Sequence, residues 1–397
     1  MLNNNYTENL LGMKDAILLN IENFQDKKLI ELKMKQTEQP CPRCKTMTSK
    51  IHDYRIQYVK DAPIFMQHTI LKIHKRRYVC RNCEKRFYEH IPLLPKYQRT
   101  TSRLWAFVIR ELATVQSMKS IAAGANISAT SVARILDHIQ YAPSVLPETL
   151  SIDEFKGNAQ GEKFQCILTN PKKKEVIDIL PKRNSDSLCE YFAQFHIQQR
   201  KQVKYFVIDM STLFRSVGKS CFPNAKIVAD KFHVQRLVTW AFEDMRKNVQ
   251  KSLHEERRRY FKRSKGIMLK YPAKLKPEEL EQLSLMLSLS KPLAESYYLL
   301  QEFRKFIHSE DVFTAKKRLR QWYMHVSTLD SETFKRFYKC IETFEKWQEE
   351  ILNAFDSGLT NGYTEGCNNR IKVMKRNAYG VRNFERFRKR ILHVMAG

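Results

Sequence analysis

Residues 360–372 read TNGYTEGCNNRIK. The turn residues Asn361-Gly362 open this stretch, and one carboxylate, Glu365, follows among small and amide side chains. Apolar residues at Ile371 and Met374, set among good helix formers, predict that a helix begins after the turn. A single acid on a basic helix most often makes a local salt bridge. The stretch alone therefore leaves open whether Glu365 pairs with a cation or binds a metal.

The composition favours a soluble protein with a polyanionic partner. The chain has 397 residues, 43% hydrophobic and 28% charged, which is enough for roughly two to four domains. Lys and Arg number 70 against 42 Asp and Glu, a net charge of +28. Such an excess favours nucleic acid, because binding phosphate releases counterions. Neither a long apolar run nor a signal peptide is visible, so a cytosolic protein without membrane contact is expected.

Between residues 148 and 239 the pattern changes to short apolar strands joined by turns. Strands are predicted at 149–155, 163–169, 175–180, 203–208 and 225–229, with helices at 185–195, at 211–217 and from 232. Three meandering strands, then alternating helices and strands, are the element order of a ribonuclease-H-like α/β core. In that order Asp153 lies on the first, central strand, and Asp209 ends the fourth strand beside it.

Three acids, Asp153, Asp209 and Glu365, are therefore predicted to meet at one edge of this sheet. Converging carboxylates can hold two divalent cations about 4 Å apart, and hard oxygen ligands favour Mg²⁺ or Mn²⁺. One ion would activate water or a 3′-hydroxyl, and the other would stabilise the leaving oxygen at phosphorus. Any one of these acids, taken alone, fits a strand end at the surface equally well.

Four cysteines form two pairs of identical spacing, Cys41-Pro42-Arg43-Cys44 and Cys80-Arg81-Asn82-Cys83. Each Cys-x-x-Cys directs two thiolates at one centre, so the pairs predict a structural Zn²⁺ site in a module at 40–95, after an amphipathic lead-in at 1–39. The alternatives are a redox pair, unrelated thiols, or replacement of one sulfur by His52, His74 or His90. The nearby cations predicted to meet phosphate are Lys75, Arg76 and Arg77.

Residues 96–142 are predicted to form a helix-turn-helix domain. Helical spacing runs through 104–115, and two further helices flank a turn at 124–127, the second opening on Ser128 as its N-cap. The side chains expected to be buried are Val132, Ile135 and Leu136. The side chains expected to face a DNA major groove are Ser128, Thr130, Ser131 and Arg134. A Pro-containing linker follows at 142–147.

Residues 240–357 carry no convincing strand and predict an all-helical insertion. It would interrupt the core, separating 148–239 from a final segment, 358–397, that carries Glu365. Cation clusters at 257–259, 262–263 and 316–318 favour DNA contact, although a charged helix face is most often only solvated. Further DNA contacts are predicted for Arg370, Lys372, Lys375 and Arg376.

Taken together, these residues resemble the ISL-three family of bacterial insertion-sequence transposases, which are DDE enzymes. The resemblance covers nearly the whole chain. It rests on the two cysteine pairs, the helix-turn-helix at 117–136, and the core motifs SIDEF at 151–155, VIDM at 207–210, ADKFHV at 229–234 and the stretch at 360–372. It implies that Asp153, Asp209 and Glu365 are the catalytic acids and that Asp230 and His233 support them. Cys367 departs from the pattern, in a place where an apolar residue is expected.

The resemblance implies a transposase that binds terminal inverted repeats and cleaves and joins double-stranded DNA at transposon ends and target. It implies Mg²⁺ or Mn²⁺ at the acids, a structural Zn²⁺, and a homodimer or larger assembly on DNA at the bacterial nucleoid. Two other interpretations keep the same fold. One is a non-catalytic DNA-binding regulator, and the other is a junction-resolving nuclease.

Overall fold

The computed structural model describes residues 11–141, 145–261, 264–378 and 383–396. The chain divides into two compact units, one comprising 1–142 with 370–397 and the other 143–369. Part of the predicted linker, at 142–144, and the predicted cation cluster at 262–263 lie outside the described residues.

A five-stranded sheet forms the centre of the first unit. Its strands run in the order β1-β2-β6-β5, with β7 added beside β6. Only the β2–β6 pair is parallel. Ile30, Leu32, Val59, Leu71 and Ile73 fill the core beneath it. The strand bounds, including a separate two-stranded hairpin of β3 and β4, are β1 Ala16–Asn23, β2 Lys27–Met34, β3 Gln39–Pro40, β4 Met47–Thr48, β5 Ile51–Ile64, β6 Gln67–Val79 and β7 Arg86–Tyr88.

Residues 16–34 form two strands of this sheet, where the sequence suggested only an amphipathic lead-in. Ile30, Leu32 and Met34 are buried at alternate positions of β2, the period of a half-buried strand. Because β2 pairs along β6 from Lys27 to Lys33, a boundary at residue 39 would divide one sheet. The lead-in and the cysteine module therefore share a single core.

Three short helices follow in the first unit: α1 (Ser102–Leu112), α2 (Met118–Gly124) and α3 (Ala129–His138). Each opens on a hydroxyl N-cap, at Thr101, Ser117 and Ser128, whose side chain accepts a backbone N–H of the first turn. The expected burial is confirmed, because Val132, Ile135 and Leu136 pack with residues of α1 and α2.

A fourth helix, the C-terminal segment Phe384–Ala396, packs against α1 and α3 of this unit, whereas the sequence suggested that it belongs to the ribonuclease-H-like core. Its Arg390 is buried and donates to the carbonyls of Thr114 and Gln116, both at 2.9 Å. Arg386 makes a two-pronged ion pair with Asp137 on α3. The amphipathic pattern of this segment identified a helix, but nothing in the pattern specified these carbonyls as partners.

The second unit contains a five-stranded sheet at its start. The predicted strands are confirmed as β8 (Thr149–Phe155), β9 (Gln165–Asn170), β10 (Glu175–Leu180), β11 (Tyr205–Ile208) and β12 (Lys226–Ala229). Their order is β10-β9-β8-β11-β12, with β8, β9 and β10 antiparallel and β8, β11 and β12 parallel. The helices between these strands are α4 (Ser185–Ala193), α5 (Ile197–Gln202) and α6 (Thr212–Cys221).

The described residues from 240 to 357 contain helices and no strand, as predicted. Trp322, Phe303, Phe337 and Phe344 form an aromatic core within this region. The helices are α7 Lys231–Ser252, α8 Glu255–Arg258, α9 Ser264–Met268, α10 Pro277–Ser288, α11 Lys291–Ile307, α12 Val312–Ser327, α13 Lys335–Lys346 and α14 Gln348–Ser357, followed by α15 Gly362–Asn377 and the C-terminal α16 Phe384–Ala396. Across the described part of the chain, no helix is long and apolar enough to cross a membrane.

Candidate active site and zinc centre

Asp153 lies on the central strand β8, and Asp209 directly follows the neighbouring strand β11. Strands β8 and β11 are parallel neighbours in which Ser151 pairs with Val207. Continuing that register by two residues places Asp209 opposite Asp153, with both side chains on the same face of the sheet. The sequence indicated this neighbourhood correctly, because both acids follow apolar runs that form adjacent strands.

Asp153 is a buried carboxylate, 8% exposed, held by two hydrogen bonds. Its oxygens accept the backbone N–H of Glu154 at 2.8 Å and the side-chain amide of Asn368 at 2.9 Å. Burial raises the pKa of Asp153 to about 6, and the charge of Asp209 adds to the shift. Two carboxylates at one place, each disfavouring ionisation of the other, are typical of a site built to receive positive charge.

Asp209 carries the same signature in a more open setting. Its carboxylate accepts the backbone N–H of Ser211 at 3.1 Å. Burial raises the pKa of Asp209, against the nearby charge of His233, which lowers it. The two aspartates therefore share an environment in which burial disfavours the charged form of the carboxyl group.

Asp230 and His233 stand at the start of α7, where β12 ends. His233 Nδ1 lies 2.9 Å from an oxygen of Asp230, whose other oxygen accepts the backbone N–H of Asn361 at 3.0 Å. Burial lowers the pKa of His233, but the hydrogen bond to Asp230 and the charges of Asp230 and Asp153 together leave this pKa above its ordinary value. Asp230 thus connects α7 to the residue that precedes α15.

Glu365 lies in the first turn of α15, on a helix bound to the sheet by polar side chains. Thr364 bonds to the hydroxyls of Thr169 at 2.8 Å and Ser151 at 3.2 Å, and Asn361 bonds to Ser151. With Asn368 on Asp153, residues at positions 361, 364 and 368 form one helix face. The motif at 360–372 contained these residues without assigning them a role. A threonine and two amides at helical spacing, in a strongly polar helix, are the signal that could have identified the face.

The side chain of Glu365 is only partly buried and does not join the aspartates in a preformed ligand cluster. Among the described residues, the cysteine site alone brings three or more acidic, histidine or thiol ligand atoms within 4.8 Å of one another. Asp153 instead interacts through charge with Asp209, Asp230 and His233, and Glu365 lies on the helix that Asn368 joins to Asp153. The amide oxygen of Asn368, whose amide nitrogen donates to Asp153, is buried and has no hydrogen-bond partner in the described chain.

The four cysteines of the first unit form a compact set of sulfur ligands. Cys41 Sγ lies 3.5 Å from Cys83 Sγ, and Cys44 Sγ lies 3.4 Å from Cys80 Sγ. All four sulfurs lie within 4.8 Å of one another, and a tetrahedral Zn–S₄ centre requires sulfurs about 3.8 Å apart. The donor set and its spacing fit a structural Zn²⁺, with four sulfurs as predicted.

The backbone explains why each Cys-x-x-Cys makes the same turn. In the first, Cys41 N–H donates to Thr46 O at 3.0 Å and Lys45 N–H to Cys41 O at 2.9 Å. In the second, Cys80 N–H donates to Lys85 O and Glu84 N–H to Cys80 O, at 3.0 and 3.1 Å. Two matching knuckles thus present their thiols to one point. The three candidate histidines are not needed, and two of them bond to acids, His52 to Asp53 and His74 to Glu31.

The cations predicted to contact phosphate divide into two groups. Arg76 is buried, pairs with Glu89 at 3.0 Å, and donates to the carbonyl of Met34 at 2.8 Å, so it is corrected to a structural residue. Lys75 lies 5.3 Å from the ring of Tyr88, and Arg77 pairs with Asp53 at 3.4 Å. The sequence could not distinguish buried Arg76 from the other cations of this run, because its partner Glu89 lies 13 residues away.

The correction at Arg76 gives a prediction about stability. Replacing Arg76 with Met should destabilise the protein by about 3 kcal/mol, because Glu89 would remain buried without its partner. The matched variant Arg77→Met, at a partly exposed pair, should change stability by less than about 1 kcal/mol. Urea unfolding measures both. Equal effects of the two substitutions would contradict the structural role of Arg76.

The other predicted DNA contacts are spread over α3 and α15. Thr130 and Arg134 are exposed on α3. Ser128 is the N-cap of this helix and accepts the backbone N–H of Ser131, whose own side chain is partly buried. On α15, the side chains of Arg370, Lys372 and Arg376 are exposed and that of Lys375 is partly buried.

Comparison with known proteins identifies this combination as that of a transposase. A family profile described as "Transposase" matches residues 150–391, and one described as "zinc-finger of transposase IS204/IS1001/IS1096/IS1165" matches residues 37–83. The chain therefore belongs to the ISL-three family of DDE transposases.

The relative that matches over most of this chain is also a transposase. The chain is 26% identical to the transposase for insertion sequence element IS1001 of Bordetella parapertussis over 356 residues, covering 87% of this chain and 86% of that protein. It is also 33% identical to an ATP-dependent protease of Lactococcus lactis subsp. lactis over 109 residues, covering 26% of this chain and 31% of that protein. The second likeness spans too little of either protein to indicate a shared activity.

Proposed function

We propose that this transposase binds the terminal inverted repeats of its own insertion sequence and catalyses metal-dependent DNA strand cleavage and strand transfer. The catalytic acids are Asp153, Asp209 and Glu365. One observation carries the proposal: Asp153 lies on β8, Asp209 directly follows the adjacent parallel strand β11, and both have raised pKa values. The helix of Glu365 is hydrogen-bonded to Asp153 through Asn368.

A ribonuclease-H-like core is the architecture that this arrangement supports. The order β10-β9-β8-β11-β12, with three antiparallel strands followed by two parallel ones, is the order expected of that core. The acids then lie on the central strand, at the end of its parallel neighbour, and on a helix that returns after the helical segment. Such a core would gather the three acids, which are far apart in sequence, at one edge of the sheet.

The residues around Asp153 fit a hard divalent cation such as Mg²⁺ or Mn²⁺. Asp153 and Asp209 supply adjacent carboxylate oxygens of raised pKa, and Asn368 adds a buried oxygen without a partner in the described chain. When bound, such ions supply an activated water or 3′-hydroxyl and charge stabilisation at phosphorus. Glu365 completes the set once its partly exposed side chain turns toward the aspartates.

The neighbouring residues hold these acids in place. Asn368 donates its amide to Asp153 and fixes the orientation of that carboxylate. Asp230 accepts the backbone N–H of Asn361 and is hydrogen-bonded to His233. It therefore anchors the start of the helix that carries Glu365. We assign Asp230 and His233 this positioning role, because carboxylate–histidine pairs beside ligands orient them.

DNA recognition is proposed for the first unit. Helices α2 and α3 are the helix-turn-helix, with the exposed side chains of Thr130 and Arg134 directed at a major groove. Lys75, Arg77 and the cations of α15 neutralise phosphates. A homodimer or larger assembly at the bacterial nucleoid would bring two transposon ends together.

The experiment that tests this function uses the DNA flanking the protein's own coding region. The wild-type protein should shift these duplexes in gels and nick them only with Mg²⁺ or Mn²⁺. Neutralising about six phosphates would lower affinity roughly a thousandfold or more between 50 and 200 mM salt. Duplexes of shuffled sequence are the control. Binding without cleavage would favour a regulator, and cleavage of branched DNA lacking the repeats would favour a junction-resolving nuclease.

A further inference from the structure

The turn between β5 and β6 is made by two large apolar residues, Phe65 and Met66. It connects the paired residues Ile64 and Gln67 by the shortest hairpin loop. Both turn residues have positive φ, 52° and 65°, as a type I′ turn requires. Their side chains are 77% and 99% exposed. The tip of the longest hairpin in the described chain thus presents a phenyl ring and a thioether to solvent.

Folding alone does not account for this choice of residues. Asn-Gly is the usual occupant of a type I′ turn, because a bulky L-residue in the left-handed region is strained. Phe65 and Met66 bear that strain and leave almost all of their apolar surface in water. Strain and exposed apolar surface together at one loop are the pattern of a functional contact.

The surroundings of the turn indicate what it contacts. Phe24, in the turn between β1 and β2, is 43% exposed and lies at the same end of the sheet, since Gln67 donates its side-chain amide to Phe24 O at 3.3 Å. Lys28 Nζ lies 5.7 Å from the Phe65 ring and Lys27 Nζ 5.1 Å from the Phe24 ring. Two ammonium groups therefore flank the apolar tip.

The small size of the tip favours a contact with DNA over a contact with another protein. Two side chains offer a few hundred Å² at most, whereas a stable protein interface buries about 1,200 Å² or more. A wedge between two base pairs needs only one or two apolar side chains, with cations for the flanking phosphates. Phe and Met are among the residues that enter such base steps.

We infer that Phe65 and Met66 form a wedge that inserts into a base step of duplex DNA from the minor groove and bends it. The inference rests on the proposed DNA binding of the first unit and adds a sequence-independent bending contact to it. Lys27 and Lys28 would meet the phosphates on either side of the opened step. Bending of this kind would bring separated stretches of a transposon end within reach of one protein.

The test replaces the turn with its preferred sequence. The double variant Phe65→Asn with Met66→Gly should fold and raise the melting temperature by about 2 °C or more, because it relieves the strain. It should bind flanking-region duplexes about tenfold more weakly and lose a bend of about 20° or more, measured by energy transfer between labelled duplex ends. A structural role for the turn would not produce greater stability together with less bending.

A matched control exists in the same unit. Tyr97 is 92% exposed and also has a positive φ, 66°, but lies outside the hairpin. Tyr97→Asn should relieve strain and leave the bend unchanged. The wedge proposal would be wrong if the wild-type protein bound the duplex without bending it, or if the double variant bent it fully. Either result would leave the proposed function intact. A double variant that loses self-association without DNA, by light scattering, assigns the tip to a second copy instead. Wild-type protein that binds no flanking DNA ends both proposals.

Discussion

Replacing Asp153 with Asn should abolish strand cleavage and leave DNA binding unchanged. Asparagine has nearly the same shape as aspartate, and its single side-chain oxygen can accept one of the two hydrogen bonds that the carboxylate accepts, from Glu154 N–H or from Asn368. The sheet and α15 should therefore keep their packing. The substitution removes the negative charge that a divalent cation requires, and we expect cleavage to fall by about a thousandfold or more. Gel assays with end-labelled flanking DNA measure nicking and binding in the same samples.

The matched control is Asp178→Asn in the same sheet. Asp178 is a buried carboxylate on β10 that accepts the hydroxyl of Tyr191 at 2.9 Å. It lies two strands from Asp153 and on the opposite face of the sheet, because Ile179 and Asp153 both pair with Ile167. This variant should still cleave. If Asp153→Asn nicked DNA at the wild-type rate, Asp153 would have no catalytic role and the site assignment would be wrong.

The Asp153→Asn substitution should also make the metal-free protein more stable at neutral pH. Burial and Asp209 raise the pKa of Asp153 from 3.8 to about 6, so the folded protein holds this proton more tightly than the unfolded chain does. Stability is therefore lost as pH rises from about 4 to about 6, and the loss at pH 7 is at most about 3 kcal/mol. The Asp153→Asn variant avoids that loss, because its amide does not ionise. Melting curves at pH 4 and pH 7, without divalent ions, should differ less for the variant than for wild type.

The second large effect is expected at the zinc centre. Replacing Cys44 with Ala removes one of four sulfurs, and bound zinc should fall from one ion per chain to nearly none. Structural zinc sites contribute about 10–16 kcal/mol of apparent binding free energy, so the two knuckles should lose their fold. DNA binding should fall by about a hundredfold as the module disorders, a loss of roughly 3 kcal/mol. Metal analysis after dialysis and gel shifts measure the two effects.

Cys189→Ala is the control for the loss of a thiol. Cys189 lies 3.6 Å from Cys221 in the second unit, outside the two Cys-x-x-Cys motifs, and its removal should leave zinc content unchanged. Full zinc content in Cys44→Ala would show that this sulfur is not a ligand. Dithiol chemistry without bound metal in the wild-type protein would instead favour the redox interpretation.

Local sequence patterns predicted the second unit well. Strands β8 and β10 have the predicted bounds, since their apolar residues are bounded by clear turn residues. The four-sulfur site was predictable too, because Cys-x-x-Cys fixes the geometry of each half. Strands β1 and β2 were missed, because a short run of apolar residues does not distinguish a strand from a helix without its partner.

Contacts between distant residues were beyond the reach of these patterns. Arg76 is buried because Glu89 and a carbonyl receive it, and neither is visible from a run of cations. Arg390 likewise depends on carbonyls of residues 114 and 116, more than 270 positions away. The motif at 360–372 predicted Glu365 as a catalytic acid. It did not predict the hydrogen bonds that attach the helix of Glu365 to the sheet, because these join hydroxyl and amide groups that are distant in sequence.

The tie between Asn368 and Asp153 spans 215 residues, and this has a consequence during protein synthesis. A ribosome that has produced β8 must still add the whole helical segment before Asn361, Thr364 and Asn368 emerge. Until then Asp153, Ser151 and Asp230 have no partners from this helix, and the nascent chain carries an incomplete form of the proposed catalytic centre. Under the proposed function, a nascent chain could cleave DNA only after residue 368 had been added and folded into place.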